Sequence, residues 1–174
     1  MSMVKIEVDD ADIKRLLRNA ARRARDLRPV MREIAGIMHD AVEENFAREG
    51  RPRWPRLSPF TVAQREAEGT WPGKILQRTG RLAASITQRH DALSAEVGTN
   101  VEYAAVHQFG GRTRPRTIRP KRKKALYWPG APHPVAKVEH PGSRIPARPF
   151  LALTERDKDD IRDVLRRFLR NLGG

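Results

Sequence analysis

Residues 85–99 read Ser-Ile-Thr-Gln-Arg-His-Asp-Ala-Leu-Ser-Ala-Glu-Val-Gly-Thr. Ser85–Asp91 and Ser94–Thr99 predict two strands joined by a tight turn. This pair decides the fold class, because the segments around it are mostly helical in period. Just before it, Thr79 stands where it can cap a helical turn through Leu82 and Ala84. Just after it, Val101–Phe109 predicts a short helix closed by Gly110-Gly111.

Moving toward the N-terminus, Trp71-Pro72-Gly73 reads as a turn. Ser58-Pro59 pairs a capping hydroxyl with a first-turn proline and starts a short helix that ends at Glu68, before Gly69. The stretch 51–56, Arg-Pro-Arg-Trp-Pro-Arg, is a break. Further back, Val30, Ile34, Ile37, Met38, Ala41, Val42 and Phe46 share one helical face, and Pro29 opens that helix. An earlier helix, capped by Asp9 or Asp10, carries Ile13, Leu16, Leu17, Ala20, Ala21 and Ala24 on one side and Lys14, Arg15, Arg18, Arg22, Arg23 and Arg25 on the other. The two predict a helical hairpin, or one bent helix, over residues 11–48. Val4, Ile6 and Val8 alternate with charged residues as in a short strand.

Toward the C-terminus, residues 112–149 hold eight of the thirteen prolines. Apolar stretches at Ala125–Trp128 and Val135–Val138 predict a long β-hairpin or excursion rather than core. Thr154 then caps a last helix with the stripe Ile161, Val164, Leu165, Phe168, Leu169 and Leu172. Glu155, Asp157, Asp159 and Asp160 lie near its positive N-terminal end. The expectation is an α+β fold. Helices pack on a small antiparallel sheet, a long basic Pro-rich hairpin or loop excursion spans 112–144, and a single domain fills 1–174.

Composition bounds the chemistry. The chain has 174 residues and a net charge of +14, from 35 Lys+Arg against 21 Asp+Glu. Ile, Leu, Val and Phe total 38 residues, about 22%, enough for a modest core. There is no cysteine, hence no disulfide framework, thiolate zinc site or thiol nucleophile. No apolar run reaches membrane-span length and Met1–Val8 has no signal-peptide core. An intracellular product fits best.

The basic balance predicts a polyanionic neighbour, either nucleic acid or an acidic protein face. Arg112, Arg114, Arg116, Arg119, Lys121, Arg122, Lys123 and Lys124 give +8 without an acid between them. Three readings stand for this run: protein docking, sequence-blind DNA proximity and simple solvation. No aromatics interleave it, which argues against a base-reading module. Trp54, Trp71 and Trp128 each precede a proline and either pin loops to the core or anchor a partner. Arg15, Arg18 and Arg22 are further interface candidates. The acidic clusters sit at helix starts and read as caps, not metal ligands. The five histidines show no zinc-binding helical pair. No nucleophile elbow or phosphate-binding glycine loop is present. The expectation is a non-enzyme without metal or cofactor.

Three segments carry a resemblance. The first is Trp54-Pro-Arg-Leu57, Ser58-Pro-x-Thr61, Lys74-Ile-Leu76 and Thr79-Gly80-x-Leu82-x-x-Ser85-Ile86. The second is Val97-Gly-Thr-Asn-Val101-x-Tyr103-Ala104-x-x-His107-Gln-Phe109-Gly110. The third is Ile145-Pro-Ala-Arg148-Pro149-Phe150-Leu151. In this order, with a long insert between the second and third, they resemble the phage virion morphogenesis family, the tail-completion proteins of Mu-like and related tailed phages.

The resemblance spans roughly 5–170. It implies a structural protein of the neck, part of the virion and assembled in the host cytoplasm. Such a protein completes the tail tube and joins it to the DNA-filled head by forming a ring. Six-fold symmetry is expected by analogy with tail geometry. The implied partners are the tail tube protein, head-completion or connector proteins, and genomic DNA in the channel; no membrane is implied.

On the residues themselves, Thr79-Gly80 is expected to make a capped turn. Either Tyr103 or Phe109 packs inward while the other covers a loop, and His107 is expected to be hydrogen-bonded. Arg148 satisfies carbonyls or a carboxylate. Pro149 stiffens the lead-in from which Phe150 staples the last helix. The alternative to the neck reading is a non-specific nucleic-acid-binding protein using the 112–124 run. A nuclease is a distant third.

Overall fold

A computed structural model describes residues 4–5, 9–23, 26–121, 124–128 and 131–171. The chain runs β1 (Val4–Lys5), α1 (Ala11–Arg23), α2 (Arg28–Ala47), α3 (Pro59–Ala67), α4 (Arg81–Ala84), β2 (Thr87–His90), β3 (Ala95–Thr99), α5 (Ala104–Phe109), β4 (Gly111–Arg112), β5 (Arg116–Ile118), β6 (Val138–His140), β7 (Arg144–Ile145) and α6 (Glu155–Asn171). It is the expected α+β class, with helices on a small antiparallel sheet. Ile6, Val8, Ala24, Arg25, Arg122, Lys123 and Leu172, named above, and the proline that follows Trp128 lie outside the described residues.

The 85–99 segment forms the antiparallel pair β2–β3, with Thr87 opposite Gly98 and His90 opposite Ala95. Its turn is held by one carboxylate. Asp91 Oδ1 accepts the amides of Leu93 and Ser94, both at 2.7 Å, and Oδ2 accepts the Ser94 hydroxyl at 2.8 Å. Such local side-chain bonds favour turns over strand continuation. β1 adds on the other side of β3, giving the order β1-β3-β2. β3 is therefore central, and Val97, Gly98 and Thr99 are buried while β2 is exposed throughout.

α2 lies between this sheet and α6, packing on β2, β3 and α6. Its buried stripe of Val30, Ile34, Met38, Val42 and Phe46 meets Ile86 and Val97 from the sheet side and Ile161, Val164 and Leu165 of α6. α1 packs chiefly on α6 rather than on α2. The helical-hairpin expectation is corrected in that respect: the last helix, far away in sequence, mediates between the first two. Ile13 and Ala20 of α1 are buried, but Ala21 faces solvent.

The caps follow residue chemistry. Asp10 Oδ1 accepts the Asp12 and Ile13 amides at 3.0 Å each. Ser58 Oγ accepts the Thr61 amide at 3.2 Å. Thr154 and Asp157 cap α6 reciprocally: Asp157 Oδ2 takes the Thr154 amide at 2.7 Å, and Thr154 Oγ1 takes the Asp157 amide at 3.3 Å. At α4 the cap position falls to Gly80, at φ 70°, and not to Thr79. Thr79 Oγ1 still accepts the Arg81 amide at 3.4 Å.

The 112–144 excursion is a long antiparallel hairpin. β4–β7 (Gly111 opposite Ile145) and β5–β6 (Arg116 opposite His140, Ile118 opposite Val138) share one register, and Leu126 bridges Val135 nearer the tip. Between the two ladders, Gly142 has φ +88°, and a Cβ there would lie 2.2 Å from the Thr113 carbonyl oxygen. Only glycine lets the strands approach so closely at that point. The prolines interrupt the ladder without ending the pairing.

Candidate functional site

The three motif segments converge on one knot. The Trp54 indole N–H donates to the Pro149 carbonyl at 3.0 Å, and its ring meets Phe46 edge-on with centroids 5.8 Å apart. Arg148 spans back the other way. Its Nε and Nη2 donate to the carbonyls of Pro55 and Arg56 at 3.0 and 3.1 Å, and its amide donates to the His107 carbonyl at 2.7 Å. Gln108 closes the third side. Its Oε1 accepts the Phe150 and Leu151 amides at 3.0 and 2.9 Å, and its Nε2 donates to the Leu151 carbonyl at 3.0 Å. Phe150 is fully buried, 5.4 Å from Phe46 ring to ring. Gly110, at φ +74°, leaves room for the backbone of Ala147, 2.9 Å from where a Cβ would stand.

Beneath this knot lies a polar network. Asn45 is wholly buried and donates to the carbonyls of Phe150 and Ala152 at 2.9 and 2.8 Å, while accepting from Arg51 Nε at 2.9 Å. Arg51 binds Asp157 through both terminal nitrogens, at 3.2 and 3.0 Å, and also reaches Glu44. Burial works to raise the Asp157 pKa, but the Thr154 amide and hydroxyl and the Arg51 guanidinium outweigh it and hold the carboxyl below its ordinary range. No local pattern marks Asn45 or Arg51 as site residues, and Gln108 is marked only by its place in the second motif segment. Arg51 reads in sequence only as part of a break, and Asp157 only as a dipole acid.

The predicted residues therefore divide. Trp54 is buried in the core and matches the loop-pinning alternative; Trp71 and Trp128 are half-buried. Tyr103 and Phe109 both face solvent, at 38% and 72% exposure, so the expectation that one packs inward is corrected. Tyr103 stands edge-on to His107. The His107 side chain makes no hydrogen bond among the described residues, and its buried Nδ1 has no partner, against expectation. Burial, then the Arg148 charge, pushes its pKa down. Arg148 satisfies carbonyls, not a carboxylate.

Arg112, Arg114, Arg116, Arg119, Lys121 and Lys124 are all exposed, and no carboxylate lies within salt-bridge distance of them among the described residues. On α1, Arg15 pairs with Asp12 at 3.0 Å, Arg22 bonds Asn19, and Arg18 is exposed. Trp54 and Trp71 line one cleft beside α3, while Trp128 lies apart from them, in a groove that it shares with Arg116 of the basic run. α1 and the basic run line no common cleft among the described residues.

A trough runs between α3 and the hairpin. Toward the hairpin tip it is a mainly apolar groove of about 660 Å³, lined by Phe60, Ala63, Ala67, Ile118, Leu126, Tyr127, Trp128 and Val138, with Gln64, Glu68, Arg116 and His140 also in its wall. At the hairpin base it becomes a cleft of about 880 Å³, lined by Arg56, Arg65, Arg78, Arg144, Arg148, His107 and His140 among apolar and neutral polar residues, with no carboxylate in its wall. Arg78 reaches out of it to Glu68 at 3.5 Å. Burial, then the nearby Arg65 charge, lowers the Arg148 pKa. On α2, His39, Asp40 and Glu43 bring ligand-type atoms within 4.8 Å of one another. That spacing on one helix face was the sequence signal for the cluster, and a search for histidine pairs passes over it. No described helix is long and apolar enough to cross a membrane.

Comparison with known proteins agrees with this scaffold. Residues 8–170 match the phage virion morphogenesis family. The chain is 36% identical over 175 residues to the Mu-like prophage FluMu G protein 2 of Haemophilus influenzae, covering 98% of this chain and 99% of that protein. It is 29% identical over 144 residues to the "Putative capsid assembly protein G" of Escherichia phage Mu, covering 80% of this chain and 78% of that protein. A second Haemophilus influenzae protein, Mu-like prophage FluMu G protein 1, is 29% identical over 152 residues, covering 84% and 82%. No solved structure matches. With the match running through nearly every element from α1 to α6, the chain belongs to the phage virion morphogenesis family.

Proposed function

We propose that this protein is a structural neck protein that completes the tail tube and joins it to the DNA-filled head, working as a homo-oligomeric ring and not as an enzyme. The observation that carries the reading is the division of labour between motif and hairpin. The family's motif residues are spent on a hydrogen-bonded scaffold: Trp54 to Pro149, Arg148 to Pro55 and Arg56, and Gln108 to Phe150 and Leu151. They form no pocket of converging acid, base and nucleophile. The scaffold then holds out a hairpin whose described cations in the run 112–124 have no carboxylate partner. A rigid body with an unneutralised arm suits assembly against other surfaces. A ring needs a heterologous contact that closes.

Two experiments test this. Electron microscopy of the purified full chain is expected to show rings with a hole wide enough for duplex DNA; a monodisperse monomer at high concentration counts against the ring. Deletion of the gene in the phage that encodes it is expected to leave filled heads and tails unjoined. Normal joined particles would remove the neck role.

The unpaired cations also favour the second reading, non-specific nucleic-acid binding by the same run. Its electrostatic signature is duplex retention that is blind to sequence and steeply salt-dependent. Tight duplex binding by the isolated protein at physiological salt, with normal head–tail joining in the deletion, would favour it over the neck role.

A further inference from the structure

The cleft at the hairpin base holds more positive charge than this chain neutralises. Two of its arginines form the floor: Arg148 is 6% exposed and Arg65 is 7% exposed. Among the described residues, their side-chain hydrogen bonds go only to main-chain carbonyls, of Pro55 and Arg56 for Arg148 and of Lys74 at 3.2 Å for Arg65. Neither has a carboxylate within salt-bridge distance among the described residues, although burying a cation without its counter-charge is costly. Arg56 and Arg144 stand exposed at the rim, also unpaired among the described residues. His107 lines the same cleft with a buried, unpartnered Nδ1.

The opposite imbalance occurs on the outer face of α2. Asp40 is exposed and has no partner among the described residues, and Glu43, 69% exposed, meets only His39 at 3.9 Å. No residue of α2 lines the cleft. The chain thus carries a cationic recess and an acidic helix face on separate surfaces, with no contact between the two inside one copy.

We propose that the cleft receives the Asp40–Glu43 face of α2 from a second copy of this chain, and that this contact, repeated head to tail, closes the ring. The inference rests on the ring reading above and names its contact. Two different faces that complement one another make a heterologous interface, the kind that generates rings. Carboxylates on side chains can enter a recess and give arginine its two-pronged bond. The regularly spaced phosphates of a duplex lie on a convex cylinder, and they meet the rim arginines before the floor. Leu57, Leu76 and Ile145 in the cleft wall would pack against the helix shaft that brings the acids in.

The test is a charge swap in the full-length protein, read by sedimentation velocity and native mass spectrometry, with circular dichroism as the check on folding. All four positions are exposed, so the fold should survive. Arg56→Glu/Arg144→Glu and Asp40→Arg/Glu43→Arg are each expected to weaken ring formation by about tenfold or more. The four-fold variant, which restores opposite signs across the contact, is expected to recover most of it. Rings unaffected by either pair, or additive loss without rescue, would overturn the contact while leaving the ring reading intact. A wild-type chain that never forms a ring removes both. If the Arg56→Glu/Arg144→Glu pair abolishes retention of a 30-base-pair duplex but leaves the ring unchanged, the cleft is a phosphate site and the proposal fails.

Discussion

Arg51 grips Asp157 with two nitrogens while Asp157 also caps α6, so one carboxylate fixes both the end of the 51–56 break and the start of the last helix. The folded carboxyl titrates below its ordinary value of 3.8. The unfolded chain therefore binds more protons between the two values, and stability rises with pH across that window. The contribution is fully present above the unfolded value and is lost as pH falls through the folded one.

We expect Asp157→Asn to cost about 3 kcal/mol at pH 7, because it leaves a largely buried guanidinium with Glu44 as its remaining carboxylate. Urea unfolding at pH 7 and pH 3 checks this: wild type should lose more stability on acidification than the variant. Equal losses would mean the pair does not titrate as described. Gln108→Ala strips the acceptor from two amides and the donor from one carbonyl. It should cost about 2 kcal/mol, a fall of several degrees in Tm, with no change in charge. None of this was legible from local sequence. A bidentate pair with |i−j| of 106 has no local pattern, and Gln108, although it stands inside the second motif segment, carries no local sign of its partners at 150 and 151.

Elements were far more legible than their partners. Capping chemistry and 3.6-residue stripes placed α2, α3 and α6, because Ser58, Thr154 and the Val30–Phe46 stripe obey local rules. Which helix packs on which depends on long-range burial, so the role of α6 as the slab between α1 and α2 stayed hidden. Its Leu165 is fully buried, and Leu165→Ala is expected to cost about 2–5 kcal/mol by thermal or urea unfolding, with loss of the α1 helical signal as well.

The hairpin shows the reverse. Its prolines and charge mark it as an excursion, and the structure gives it its own pairing, with no described residue of 111–145 in the core cluster. Replacing 113–143 with a short Gly-Ser turn should therefore leave Tm within a few degrees while removing assembly. A collapse of the fold would show that the arm is part of the body. Within the arm, Gly142→Ala forces a Cβ toward the Thr113 carbonyl and should expose the 113–118 strand to protease without shifting global stability.

At the scale of the whole molecule, the charge of +14 opposes the very assembly proposed for it. Copies of such a chain repel at long range, and only local complementarity, such as the basic cleft against the acidic face of α2, can bring them into register. The two effects have different reach. Long-range repulsion is screened once the Debye length falls from about 30 Å at 0.01 M salt to about 10 Å at 0.1 M. Close, partly desolvated pairs survive that change and weaken only near 1 M, where the length is about 3 Å.

Ring formation should therefore rise from low salt to about 0.15 M and decline again toward 1 M. Sedimentation velocity across a salt series at fixed protein concentration reads this directly. A steady rise to 1 M would mean that apolar burial, with the groove around Phe60 and Tyr127 as its obvious seat, drives the contact. A steady fall from the lowest salt would mean that attraction dominates at every range, which a surface this basic permits only if a polyanion co-purifies with it. Nuclease treatment before the series separates that case. A bell that persists after treatment assigns the association to protein faces alone. A bell that vanishes makes nucleic acid the bridge between copies.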